Sequence, residues 1–167
     1  MEQEVVKSVV DMPEQFILFL GWLGFYCPMI LGAMGSILGC GIAGNASFGA
    51  MLEAEEGHFK FMVLSILPSS QIFYGFLVMF LYNDSVQEVG INASNGIALF
   101  SVGILCGVTL LLSAIRQGQC CAAGMNTIKT KPELFGLSFV SPAAIEAVAL
   151  FAFVFTFLIK ETIFMVN

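Results

Sequence analysis

Charge is what this sequence has least of. Acidic and basic residues make up 11% of its 167 positions while 58% are hydrophobic, far from the roughly 25% charged and 45–50% apolar of soluble domains. The few basic residues form no run, and the net charge of −6 is spread over ends and loops, which excludes a nucleic-acid partner. A glycine-rich P-loop is missing too, so the chain carries no ATP site of that kind. Its five cysteines, Cys27, Cys40, Cys106, Cys120 and Cys121, lack the paired spacing of a zinc site or a secreted disulfide framework. They read as small apolar packing residues. The lone His58 falls in an acidic stretch and reads as a solvated surface residue.

What is present is long apolar sequence. Four segments are almost free of ionisable side chains: Gln15 to Leu52, Phe61 to Asn83, Val89 to Ile115, and Leu134 to Ile159, the last interrupted by Glu146. Each exceeds the roughly 20 residues that a spanning helix needs. An all-α membrane protein of four transmembrane helices follows, with lipid as its solvent. Nothing remains that could fold into a soluble domain with its own core, so residues 1–167 form one membrane domain. Glu2, Glu4, Asp11 and Glu14 precede the first run, which is also too long for a signal-peptide core, so it is retained as a mature helix.

Charged and turn-forming clusters at Glu53 to His58, Asn83 to Glu88 and Lys129 to Glu133 divide the chain into two helical hairpins, about 14–83 and about 89–165. Gly44 and Gly118 are 74 residues apart, and so are Pro68 and Pro142. The shared spacing of glycine, turn and proline marks a duplicated hairpin. Lys60, Arg116, Lys129 and Lys131 lie on the side of the two hairpin turns, against Lys7 and Lys160 on the other. The bias places both turns in the cytoplasm and both termini outside.

The odd-numbered helices are striped with small residues. Gly32, Ser36, Gly39, Ala43, Ala46 and Ala50 recur on the first, and Gly103, Gly107, Ala114, Gly118 and Ala122 on the third. Such stripes let helix backbones approach closely in lipid, where no hydrophobic drive acts between helices. The even-numbered helices carry bulky side chains, Phe151, Phe153, Phe155 and Phe157 among them, suited to face lipid or neighbouring subunits. Small helices inside and large ones outside describe a curved wall or ring, as against an ordinary compact bundle.

One carboxylate stands inside the membrane. An ionised Glu146 at mid-bilayer costs about 2.5–3.5 kcal/mol on insertion scales, so it calls for a partner or a function. The alternative is a protonated acid that joins helices by hydrogen bonds. Arg116 is read as lying near the cytoplasmic end of the third helix, which leaves no basic residue at Glu146's depth for a fixed ion pair. Leu67, Ser70, Gln71 and Tyr74 follow i, i+3, i+4, i+7 spacing and share one helical face. Pro68 disturbs the carbonyls before it and can turn a main-chain oxygen toward a ligand, and Pro142 sits one turn before Glu146. On the third helix Gln117 lies one turn beyond Ser113 and offers a second amide. An all-oxygen set suits a hard cation, and a single negative charge favours a monovalent one, sodium or a proton.

The run Leu67-Pro68-Ser69-Ser70-Gln71-Ile72-Phe73-Tyr74-Gly75-Phe76, with Gln117-Gly118, Cys120-Cys121-Ala122-Ala123-Gly124, Lys131-Pro132-Glu133 and Glu146, resembles the proteolipid K subunits of bacterial V-type sodium ATPases. The likeness covers both hairpins. It implies a homo-oligomeric rotor ring in the bacterial plasma membrane, and sodium held by Glu146, Gln71, Gln117, the Ser70 hydroxyl and the Leu67 carbonyl, with Tyr74 hydrogen-bonded to the carboxylate. It also implies a repeat offset of 77 near the carboxylate, which sets Ser69 opposite Glu146; in either register the first hairpin has no acid there. Ser70 stands where a Thr is usual, and Glu53, Glu55 and Glu56 replace a Pro-Glu element at the first turn. The segment Met1 to Glu14 is an extension without an assigned role.

The implied partners are a stator membrane subunit with half-channels, the central-stalk subunits of the soluble ATPase, and lipid. In this reading the chain is not itself an enzyme. A bare carboxylate resists moving into the lipid-facing zone, whereas the loaded site is close to neutral and moves. The rivals are the same rotor role with protons, a small multidrug-type transporter using an intramembrane Glu, and a purely structural tetraspan.

Overall fold

The computed structural model describes residues 13–165. Lys7 and most of the Met1 to Glu14 segment lie outside the described residues. Among the described residues five α-helices follow one another: α1 Glu14–Glu53, α2 His58–Ile66, α3 Ser70–Glu88, α4 Gly96–Ile128 and α5 Val140–Met165. A short 3-10 turn, Leu67–Ser69, joins α2 to α3, so the two form one span. With Leu137–Phe139 leading into α5, four helices are long and apolar enough to cross a membrane.

Proline and glycine explain where the helices tighten and stop. Pro68 lacks the N–H that would close on the carbonyl one turn back, and the chain responds with a 3-10 turn instead of a break. Pro142 falls in the first turn of α5, where a missing donor costs little. The stretch Asn83 to Glu88, expected as a turn, is helical, and α3 ends at Glu88. Charge there marks the end of the apolar run, while the helix is stopped by Gly90, whose φ of +78° few other residues adopt. Asn92 and Asn95 then order the connection. The Asn92 amide oxygen accepts the N–H groups of Ser94 and Asn95, and the Asn95 amide donates to the Gly90 carbonyl.

The first and third spans form the inner seam, as the small-residue stripes predict. A Cβ added at Gly103 would strike the carbonyl of Gly24, and one at Gly118 would strike the backbone of Gly39. These glycines set how close α1 and α4 come. The second and fourth spans lie outside, with Phe73, Phe76, Phe80, Phe151, Phe155 and Phe157 exposed. Phe153 departs from that pattern: it turns inward and stacks on Tyr74, ring centres 5.9 Å apart.

Two apolar clusters bracket a polar layer. Toward the hairpin turns lie Ala43, Phe61, Leu64, Cys121 and Met125. Toward the termini lie Phe25, Val78, Tyr82, Leu110 and Ala149. Between them fall Ser36, Gln71, Ser113 and Gln117, all buried.

Candidate functional site

Glu146 sits in this polar layer, on the face of α5 turned toward α3 and α4. It is the midpoint of the apolar run from Leu134 but lies only about a third of the way along the span Leu137–Met165. The residues before Leu137 fold into a separate short turn, Pro132–Leu134, so part of the run is spent before the helix begins.

The two carboxylate oxygens have different surroundings. Oε2 accepts from the Ser70 hydroxyl at 2.8 Å, the Gln71 amide at 3.0 Å and the Gln117 amide at 2.8 Å. Oε1 accepts from the Tyr74 hydroxyl at 2.6 Å. These donors come from α3 and α4, so three helices converge on one side chain. Because hydrogen bonds to an ionised acceptor are about twice as strong as neutral ones, four of them offset much of the cost of keeping charge out of water.

Each donor is itself held. Gln117 uses its second amide hydrogen on the Pro142 carbonyl at 3.2 Å, and its oxygen accepts from Gln71 at 3.0 Å. Ser70 lies 3.2 Å from the Leu67 carbonyl and 3.3 Å from the Gln71 amide oxygen. The Leu67 carbonyl also accepts the Ser70 N–H, through the 3-10 turn that Pro68 imposes. Among the described residues no buried side-chain nitrogen or oxygen lacks a hydrogen-bond partner, the condition under which a polar network in an apolar setting is stable.

The structure thus brings together all six residues singled out from the sequence: Glu146, Gln71, Gln117, Ser70 and Tyr74 by direct hydrogen bonds, and Leu67 through Ser70. The oxygens they offer are carboxylate, amide, hydroxyl and carbonyl, a set that could hold a hard cation better than a transition metal. Among the described residues no cluster of three His, Cys, Asp or Glu side chains forms a metal site. His58 is exposed and meets the Ala54 carbonyl at 3.0 Å.

The structure corrects the expected depth of Arg116. A charge-free run ending at Ile115 suggests a helix end nearby, but α4 continues three turns beyond Arg116 to Ile128, and the neighbouring Gln117 bonds Glu146. Arg116 therefore lies close to the level of the carboxylate. The end of the run marks the first charge, not the helix terminus. The guanidinium is on an exposed face, about 100° round the helix from Gln117, and donates to Gln119 at 3.0 Å. Among the described residues it makes no ion pair with Glu146; the pair that forms is Lys129 with Glu53 at 2.8 Å, between the two turns.

Ser36, Ser113 and Phe153 join this site without a sequence signal that sets them apart. In the sequence Ser36 is one more small residue in a packing stripe, and Ser113 serves only to locate Gln117. Both have hydrogen bonds into the polar layer.

The family model of the ATP synthase C subunit matches residues 23–82 and again 100–159, two copies displaced by 77 residues. The chain is 28% identical over 130 residues to the V-type sodium ATPase subunit K of Enterococcus hirae, covering 78% of this chain and 83% of that one. It is 29% identical over 150 residues to the A-type ATP synthase subunit K of Methanocaldococcus jannaschii, covering 90% of this chain and 66% of that one. The displacement of 77 sets Ser69 opposite Glu146, and the Ser69 hydroxyl donates to the Ile66 carbonyl of its own span at 2.7 Å.

Proposed function

The chain belongs to the ATP synthase C-subunit family as a duplicated, non-catalytic rotor proteolipid of the V- and A-type ATPases, and on that premise we propose that it carries sodium, one ion at a time, at Glu146. The observation that carries the proposal is the convergence of Ser70, Gln71, Gln117 and Tyr74 on the Glu146 carboxylate.

The chemistry is an exchange of partners. A sodium ion at Oε2 takes the place of the donated hydrogens. Each glutamine turns its amide so that the oxygen stands where the nitrogen was, a change of little steric cost because the two ends have nearly the same shape. The Ser70 hydroxyl and the Leu67 carbonyl add neutral oxygens. Tyr74, which reaches the other carboxylate oxygen, keeps Glu146 oriented throughout. One cation on one carboxylate is close to neutral, so the loaded site passes lipid where the bare one resists. Moving that charge against 100 mV requires about 2.3 kcal/mol, supplied by rotation from the soluble ATPase. The relative from Enterococcus hirae is named for sodium, which supports this choice of ion.

A ring of copies is supported by the surface. Two mostly apolar hollows lie between α4 and α5, one past Val102, Thr109 and Phe155 and the other past Thr109, Leu112, Arg116 and Val148. The second and fourth spans expose phenylalanines, which suits lipid and a neighbouring copy. In this reading a stator subunit supplies the half-channels and central-stalk subunits meet the hairpin turns. Lys60, Lys129 and Lys131 favour turns in the cytoplasm of a bacterial plasma membrane, with Lys160 and the termini outside. Since Ser69 occupies the repeat position of Glu146, each four-helix subunit moves one ion per passage.

Carbodiimide labelling of Glu146 in the assembled complex tests the ion. Sodium protection in a concentration-dependent manner is expected. Labelling that follows pH alone and is indifferent to sodium would give the role to protons.

A further inference from the structure

α1 makes no hydrogen bond to Glu146 among the described residues, yet it grips the backbone beside the cage. Ser36 Oγ accepts the N–H of Ile72 at 3.2 Å, directly after Gln71. One turn earlier on α1, a Cβ at Gly32 would come within 2.7 Å of the Gln71 carbonyl oxygen. The peptide unit linking Gln71 to Ile72 is therefore held on both sides by α1, its N–H by a hydroxyl and its C=O by close packing that only glycine allows. This hold falls just past the 3-10 turn, where the helix changes from one hydrogen-bonding pattern to another and its own ladder is least regular.

α4 does the same for α5. Ser113 Oγ donates to the carbonyl of Ile145 at 3.2 Å, immediately before Glu146, and stands 3.3 Å from the Gln71 amide nitrogen. Ser36 and Ser113 are separated by 77 residues, the displacement between the two family matches. The same repeat position thus carries a buried hydroxyl in each hairpin, tied each time to the main chain of the following span. The first hairpin has Ser69 and no carboxylate at the repeat position of Glu146, so a ligand role does not account for Ser36. What its partner peptide does carry is the Gln71 side chain.

Resting on the cation-binding reading above, we propose that Ser36 and Ser113 are positioning residues of the cage: Ser36 sets the Gln71 amide through the backbone of α3, and Ser113 sets Glu146 through the backbone of α5. Neither hydroxyl bonds the carboxylate. Losing either one loosens the cage, so the site binds more weakly while rotation at saturating ion continues.

The test is carbodiimide labelling of Glu146 in the membrane-embedded complex, titrated with sodium and separately with pH. Ser36→Ala and Ser113→Ala should each raise the sodium concentration for half-protection by about three- to ten-fold, the range of one net hydrogen bond. The ATP hydrolysis rate at saturating sodium should hold. Ser36→Cys, close in volume but a poor acceptor, should match Ser36→Ala, and Ser36→Thr should restore the wild-type midpoint. An unchanged midpoint in the Ala and Cys variants, or a lower maximal rate with an unmoved midpoint, overturns the proposal. If Ser36→Ala fails to assemble, the Cys and Thr variants decide, and identical midpoints for the two overturn it. Wild-type labelling indifferent to sodium would defeat the sodium reading alone; the positioning roles then stand or fall on the pH midpoint of labelling, which must move in the Ala variants and return with Thr.

Discussion

The Tyr74 hydroxyl lies 2.6 Å from Oε1 of Glu146, the carboxylate oxygen that none of the other cage donors reaches. The same ring stacks on Phe153, so its position is set by packing as well as by the hydrogen bond. Tyr74→Phe separates the two contributions. The stack is kept and the donor is lost, and sodium half-saturation of ATP hydrolysis should rise about ten-fold, the lower end for a hydrogen bond to a charged group. The thermal midpoint of the purified assembly should change little. An unaltered half-saturation would remove Tyr74 from the site.

Replacing the carboxylate tests the centre of the reading. Glu146→Gln keeps the shape, stays neutral and should insert and assemble normally. Ion transport and carbodiimide labelling should both vanish. Glu146→Asp should keep labelling but bind sodium more weakly, since a shorter side chain cannot reach the Tyr74 hydroxyl and the two amides together. Transport persisting in the Gln variant would sink the proposed function.

Gln117 bridges α4 to α5 through both Glu146 and the Pro142 carbonyl. Gln117→Leu removes these two bonds and the one from Gln71, while Oε2 keeps its bonds from Ser70 and Gln71 and the Gln71 amide keeps Ser113 within reach. A stability loss of about 1–3 kcal/mol is expected for the lost hydrogen bonds, visible as a lower unfolding midpoint of the detergent-purified assembly. A variant as stable as wild type would mean that the network is not structural.

At the inner seam, Gly103→Leu and Gly118→Leu should abolish folding, because the new side chains meet the backbones of Gly24 and Gly39. Nothing lies within 4 Å of a Cβ at Gly41 or Gly44. Alanine at either should leave the single chain folded when expression and protease resistance are compared. A fall in ring yield confined to those two variants would identify a surface against a neighbouring copy.

Arg116→Gln should leave the sodium midpoint for Glu146 protection where it is in wild type. The guanidinium is exposed and bonded to Gln119, and a long basic side chain in this setting directs its charge along the helix toward the interface. A shift toward tighter sodium binding would instead show that its charge is felt at the carboxylate.

Much of this was legible in the residues themselves. Four apolar spans and two repeated hairpins followed from apolar run lengths and spacing, and Glu146 stood out by the cost of one buried charge, all of them local or one-dimensional properties. The shared face of Ser70, Gln71 and Tyr74 followed from helical periodicity. The small-residue stripes on α1 and α4 likewise foretold the inner seam. Those properties survive because lipid removes most alternatives to a helix.

Other features needed the third dimension. Which carboxylate oxygen each donor takes, the inward turn of Phe153 and the depth of Arg116 depend on how far each helix extends and how it is rotated against its neighbours. A charge-free run ends at the first charge, which is not where the helix ends, so Ile115 and Asn83 marked ends that the backbone does not observe. The hydroxyls of Ser36 and Ser113 were hidden for a related reason: in a stripe of small residues a serine and an alanine look alike, and only the approach of the next span's main chain gives the oxygen a partner.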